Sequence, residues 1–175
     1  IPPNPPPTNT TPTLLIFTHK RHHYLQRTLD SIVQAHPSSS MPIVFSQDGH
    51  DPSVTGLIET FAKSSPNPTY HIFHQQKQGE NGYQLLSQHY GFGLKSVFTG
   101  DAFAIPNLVG ENEISIIAPA SHAIILEEDI EVAPDFFSFF QRMTPLLDDP
   151  AENLLCVSAW NDNGMKNFVR DPLAV

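Results

Sequence analysis

Residues 127–129, Glu-Glu-Asp, follow the apolar run Ala123-Ile124-Ile125-Leu126 and precede Pro134-Asp135-Phe136-Phe137. Hard divalent cations select carboxylate oxygens, and open α/β sheets bind ligands beyond the carboxyl ends of their strands. The triplet therefore reads either as a cation seat or as a solvated acidic loop. Polar groups also follow two earlier apolar runs, as Thr18-His19-Lys20-Arg21 and Ser46-Gln47-Asp48-Gly49. Arg21 either offers a planar fork to a diphosphate or a base carbonyl, or stands in solvent at a helix start. Asp48 either holds a nucleobase or ribose or simply forms an Asp-Gly turn. His89, beside Leu85 and Leu86, is either a ligand contact or a packed core histidine. His19, His22 and His23 lie close together but lack the fourth ligand that a structural zinc site needs.

The charge balance narrows the ligands. With 18 acidic against 9 basic residues, the net charge is −9, which argues against a general nucleic-acid or anionic-membrane surface. A nucleoside diphosphate would be repelled unless a cation bridged it to the carboxylates. Neither a Gly-x-Gly-x-x-Gly fingerprint nor a P-loop is present, so ordinary dinucleotide enzymes and P-loop kinases drop out. Cys156 is the single cysteine, which excludes an intrachain disulfide and a cysteine zinc site.

These candidates need a scaffold that brings strand tips together. Residues 1–12 hold six prolines and read as a stem or linker. Unalternating apolar runs then predict buried strands at Thr13–Thr18, Pro42–Gln47, Tyr70–His74, His122–Leu126 and Leu154–Ala159. Helical periodicity joins Leu25, Leu29, Ile32 and Val33, then Val54, Leu57, Ile58 and Phe61 after Asp51-Pro52. A third stripe, Tyr83, Leu86, Tyr90, Leu94 and Val97, is weakened by Gly91 and Gly93, and Phe136, Phe139, Phe140, Met143 and Leu147 form a fourth. Residues 99–121 read as an insertion or mobile loop, and both chain ends as cut points inside a longer protein. The alternation predicts an α/β fold with a mostly parallel, Rossmann-like sheet and helices on both faces.

Several segments together resemble the β-1,2-N-acetylglucosaminyltransferases that act on mannose. These are Arg21 with His23-Tyr24-Leu25, Ser46-Gln47-Asp48, Ser87-Gln88-His89-Tyr90, Leu126-Glu127-Glu128-Asp129 with Asp135-Phe136-Phe137, and Cys156-Val157-Ser158-Ala159-Trp160-Asn161-Asp162-Asn163-Gly164. The resemblance covers about residues 13–165 in order. It implies a GT-A nucleotide-diphospho-sugar transferase fold, truncated at its C-terminus, with residues 13–175 as the UDP-sugar-binding part of one domain. It further implies Mn²⁺ on Asp129, a ribose contact from Glu128, and Arg21, Asp48 and His89 around the uridine diphosphate. Some family members carry Asp where this chain has Glu128, so the ribose contact departs from that pattern.

The implied reaction is inverting transfer of N-acetylglucosamine from UDP-N-acetylglucosamine to a mannose hydroxyl of a glycan. The general base is expected downstream of Val175, so the fragment alone is expected to be inactive. The resemblance also implies a Golgi-lumenal type II membrane protein, anchored by a segment absent from this sequence. His23-Tyr24-Leu25 and the acidic triplet look closer to members acting on protein O-mannose, whereas Ser46-Gln47-Asp48 and Glu131-Val132-Ala133-Pro134 look closer to those acting on N-glycans. A non-catalytic glycan- or partner-binding module of the same fold is the alternative. An unrelated Mg²⁺-dependent doubly wound domain is a third.

Overall fold

The computed structural model describes residues 11–75, 81–100 and 118–160. The chain divides into two compact units, residues 1–134 and 135–175. In the first unit the order is β1 (Thr13–Thr18), α1 (His22–Gln34), β2 (Ile43–Asp48), α2 (Pro52–Ser64), β3 (Thr69–His74), α3 (Gly82–Thr99) and β4 (Ala123–Glu127). The four strands form one sheet in the order β3-β2-β1-β4, and every pairing is parallel.

Local sequence explains the helix starts. Asp51 caps α2, its Oδ1 accepting from the Ser53 and Val54 N–H groups, with Pro52 at the first helical position. Asn81 and Gln84 form a reciprocal capping box at the start of α3. The α1 helix closes at Ala35, and His36 takes a left-handed φ of 51° before Pro37.

Leu14, Leu15 and Ile16 in β1 and Ile43, Val44 and Phe45 in β2 have no exposed surface, the mark of central strands covered on both faces. One face carries Leu15, Phe17, Val44 and Ile72 against Val97 of α3. On the other, Phe45 meets Phe61 of α2 edge to face at 5.7 Å, and α1 packs beside α2. Chain order from β1 runs outward through β2 to β3, while β4 lies on β1's opposite side. The junction of β1 and β4 is therefore the topological switch point, where an open sheet leaves a crevice at its carboxyl end. The register Phe17↔Glu127 brings Thr18–Arg21 and Glu127–Asp129 to that crevice.

Three expectations need correction. β4 is not buried throughout: Ile124 and Leu126 are buried but Ile125 is 43% exposed, and among the described residues β4 pairs with β1 alone. Of the expected α3 stripe, Tyr90, Leu94 and Val97 pack on the core, but Tyr83 and Leu86 are exposed, and the buried face runs through His89, Gly93, Ser96 and Val97. Gly93 is what the periodicity misread. A Cβ there would lie 2.6 Å from Phe17 Cε1, so the absent side chain lets α3 approach β1.

The second unit contains α4 (Phe136–Asp148), whose Phe136, Phe137, Phe139 and Phe140 rings meet edge to face. Residues 154–159 form no strand, against expectation: Leu154 and Leu155 are exposed, and no described segment pairs with them. A strand exists only as part of a ladder, and an unalternating apolar run does not reveal whether a partner is present. The proline-rich residues 1–10, most of the 99–121 stretch and Asn161–Gly164 of the Trp160 motif lie outside the described residues.

Candidate functional site

The three acidic residues at the switch point have different environments. Glu127, at the tip of β4, accepts a 2.5 Å hydrogen bond from the Tyr90 hydroxyl of α3. Burial, then Glu127's acceptance of that bond and its charge, hold the Tyr90 phenol well above its usual range. Glu128 turns inward, its side chain 3% exposed. Its Oε2 accepts from the His19 backbone N–H and its Oε1 from Arg21 Nε, each at 2.8 Å, while its carbonyl accepts from Thr28 Oγ1 at 2.9 Å. Asp129 is more open, its side chain 29% exposed, and its Oδ2 pairs with Arg21 Nη1 at 2.7 Å.

Arg21 thus spends its fork on two neighbouring carboxylates. The hydrogen bond to Glu128, opposed by some burial and helped by both negative charges, raises its pKa further and keeps it cationic. Its guanidinium also lies 5.7 Å from the Tyr24 ring centre. A planar group spanning β1's tip and β4's tip fastens the two lips of the crevice together.

The second cluster stands at the tips of β2 and β3. Their register pairs Asp48 with His74, and His74 Nδ1–H donates to Asp48 Oδ1 at 2.7 Å. Gly49, at φ 74°, turns the chain after Asp48, and its N–H donates to the His74 carbonyl at 2.9 Å. Asp48 therefore belongs to an Asp-Gly turn and to a polar cluster together. His89 backs this pair, its ring stacked 5.4 Å from His74 and edge-on to Phe17 at 4.9 Å. Burial pushes His89 down to about 4, with the Asp48 charge opposing the shift, so its imidazole is neutral at pH 7. Its Nε2 is 3.0 Å from both the Ser46 carbonyl and Ser46 Oγ. A carbonyl only accepts, so Nε2 carries the proton.

Four of the five residues singled out in the sequence stand at strand tips on the C-terminal rim, Arg21, Glu128 and Asp129 at the switch point and Asp48 one strand further along, whereas His89 is a packed histidine of α3, 4% exposed, behind Asp48 and His74. Sequence reasoning missed His74, Tyr90 and the His19 N–H. The first was findable as a polar residue at the tip of β3, on the face shared with Asp48. The other two depend on a helix approach and on a backbone amide, which residue types do not announce. A cavity of about 570 Å³ lies beside the rim, lined by Gly49, His50, Thr55, Glu59, Phe73, His74 and Gln75. It touches the second cluster through His74 and includes none of the acidic triplet.

Over residues 5–175 the sequence matches the GNT-I family. The chain belongs to that family. One relative, the Alpha-1,3-mannosyl-glycoprotein 2-beta-N-acetylglucosaminyltransferase of Arabidopsis thaliana, is 30% identical over 167 residues. The match takes in 93% of this chain and 34% of that protein, so the chain spans about a third of its relative's length. As a GNT-I family member with a parallel sheet and helices on both faces, the chain has the α/β fold of the GT-A glycosyltransferases.

Among the described residues no three His, Cys, Asp or Glu side chains are gathered as a metal-binding group. A small divalent cation that binds through one or two carboxylates and substrate phosphates does not need such a cage. Asp129 fits that demand. It is the open member of the triplet, while both side-chain oxygens of Glu128 are engaged and Glu127 is held by Tyr90.

Proposed function

We propose that this chain is the donor-binding part of an inverting glycosyltransferase. The full enzyme moves N-acetylglucosamine from UDP-N-acetylglucosamine to a mannose hydroxyl in a β-1,2 linkage. The observation that carries the reading is the placing of Arg21, Glu128 and Asp129 across the switch point of a GNT-I family sheet, with Asp48 on the same rim and His89 packed behind it.

In this reading the uridine lies along the tips of β1 and β2, near Asp48 and His89, and the ribose approaches Glu128. Glu128 contributes its remaining acceptor capacity, since a carboxylate offers about four lone-pair sites. Arg21 supplies a fixed positive charge toward the diphosphate. Mn²⁺, held by Asp129, would stabilise the negative charge gathering on the leaving diphosphate as the mannose hydroxyl attacks the anomeric carbon. The printed name of the Arabidopsis relative supports an α-1,3-mannosyl glycoprotein as acceptor in preference to protein O-mannose. For an acceptor of that kind the proposed location of the full enzyme is the Golgi lumen; no described helix is long and apolar enough to cross a bilayer.

Calorimetry with UDP-N-acetylglucosamine, with and without Mn²⁺, tests the reading on this chain and on Asp129→Ala. Mn²⁺-dependent binding that Asp129→Ala abolishes is expected. Binding that needs no metal and survives the substitution would sink the site assignment.

A further inference from the structure

We infer that Thr28 and Ser31 of α1 are positioning residues for the Asp129 carboxylate, holding the backbone of residues 128–132 so that this side chain meets the cation and diphosphate of the donor. The inference rests on the UDP-sugar reading and names what fixes the geometry of the seat.

The Asp129 side chain does little to place itself. It is 29% exposed, and its Oδ2 pairs with an arginine that is itself 45% exposed. An ion pair of that kind is a weak anchor. The backbone on either side is held more firmly, and from α1. One residue before, the Glu128 carbonyl accepts from Thr28 Oγ1 at 2.9 Å in a buried bond, Thr28 having no exposed surface. Three residues after, the Val132 N–H donates to Ser31 Oγ at 3.0 Å. An N–H only donates, so Ser31 Oγ accepts there and gives its own proton to the Thr28 carbonyl, 2.7 Å away. Between the two points, Arg27 pairs with Glu131.

A helical threonine ordinarily turns its hydroxyl back on a carbonyl three or four residues earlier, as Thr60 of α2 does toward Gly56. Thr28 instead reaches a residue 100 positions away in the chain. Thr28 and Ser31 lie three apart, on one face of α1, and that spacing lets a rigid helix grip the loop at two points. Both bonds go to backbone, so the grip does not depend on whether Arg21 holds or releases Asp129. A metal seat is only as exact as the groups behind its ligand, and changes to such groups typically cost about 10–100-fold in metal affinity.

The test is Mn²⁺ titration of the whole chain with UDP present, read by loss of the free Mn²⁺ electron paramagnetic resonance signal. It compares the unsubstituted chain with Thr28→Val, Thr28→Ser, Ser31→Ala and Thr60→Val, at a temperature where thermal unfolding shows each to be folded. Thr28→Val keeps the shape and removes the donor, and should weaken Mn²⁺ binding about tenfold. Thr28→Ser restores the hydroxyl and should recover most of that affinity, while Ser31→Ala should lose about threefold. Thr60→Val, the same exchange on a helix away from the triplet, should bind as the unsubstituted chain does. Native affinity in Thr28→Val, or an equal loss in Thr28→Ser or in Thr60→Val, overturns the inference and leaves the donor reading standing. Should Thr28→Val fail to fold, Ser31→Ala decides, and native affinity there overturns the inference equally. No UDP-dependent Mn²⁺ binding by the unsubstituted chain overturns both.

Discussion

Removing Arg21 should cost stability through Glu128. The Glu128 side chain is 3% exposed and loses one of its two side-chain partners, retaining only the His19 N–H. A hydrogen bond to a charged group contributes about 1.5–3 kcal/mol, and depriving a buried charge of its partner lies at the upper end. Arg21 itself is 45% exposed in its side chain, so water screens the pair and the figure falls to about 1–2 kcal/mol. The second arm, to the more open Asp129, adds about 0.5 kcal/mol. Arg21→Ala should therefore destabilise the chain by about 2 kcal/mol, a Tm decrease of about 4–8 °C at this chain length. Arg21→Lys should recover less than half, because an ammonium cannot span two carboxylates as the fork does. The decisive assay is a double-mutant cycle of Arg21→Ala and Glu128→Gln, read by urea or thermal unfolding. A coupling energy of about 1 kcal/mol or more is expected. A value below about 0.3 kcal/mol, within the ordinary error of additivity, would refute the view that Arg21 neutralises a buried carboxylate.

The two glycines of α3 should respond with opposite signs. Gly91→Ala, which meets open space, should stabilise by about 0.5–1 kcal/mol through helix propensity, whereas Gly93→Ala should destabilise by about 1–2 kcal/mol after the same gain is subtracted, because its Cβ would stand 2.6 Å from Phe17; unfolding curves showing the same sign for both would contradict the close approach of α3 to β1. His71 is fully buried, its Nε2 is 2.9 Å from Gln47 Oε1, and burial, aided slightly by His50, pushes it from 6.5 down to about 4. Below pH 6.5 the unfolded chain takes up a proton that the folded chain refuses, so stability should fall as pH drops from about 6.5 to about 4 and this contribution should level off below that, by about 3 kcal/mol at most. An imidazole NMR titration of His71 with a midpoint near 6.5 would contradict this.

How legible the chain was depended on whether a feature is local. Strands β1, β2 and β3 were read to within one residue at each end because buried parallel strands are unalternating apolar runs between polar breaks. Asp51-Pro52 marked α2's start because capping is decided within four residues. Two failures share a cause, which is that the deciding partner is remote in sequence. Gly93 looked like a weak point in a helix until Phe17 was seen to occupy the space, and residues 154–159 looked like a strand although no described segment pairs with them. The site divides in the same way. Residue type nominated Arg21, Asp48, Glu128 and Asp129, whereas His74 and Tyr90 acquire a site role only through strand register and helix approach.

The triplet at the end of β4 is the clearest case of what structure adds to type. As residue types its three members are equivalent acidic groups on one loop. In the fold each meets a different neighbour: Glu127 the Tyr90 hydroxyl, Glu128 the His19 amide and the Arg21 Nε, and Asp129 the far arm of the same arginine. Both side-chain oxygens of Glu128 are engaged and the residue would have to leave its buried seat, while Glu127 gives one oxygen to the part-buried bond from Tyr90. Asp129 shares one oxygen with a half-exposed guanidinium, the interaction most readily exchanged for another positive charge. The proposed cation seat therefore follows from the packing around the triplet as well as from the motif. On the proposed reading, Arg21 and a cation would compete for Asp129 until a diphosphate brought enough negative charge to satisfy both.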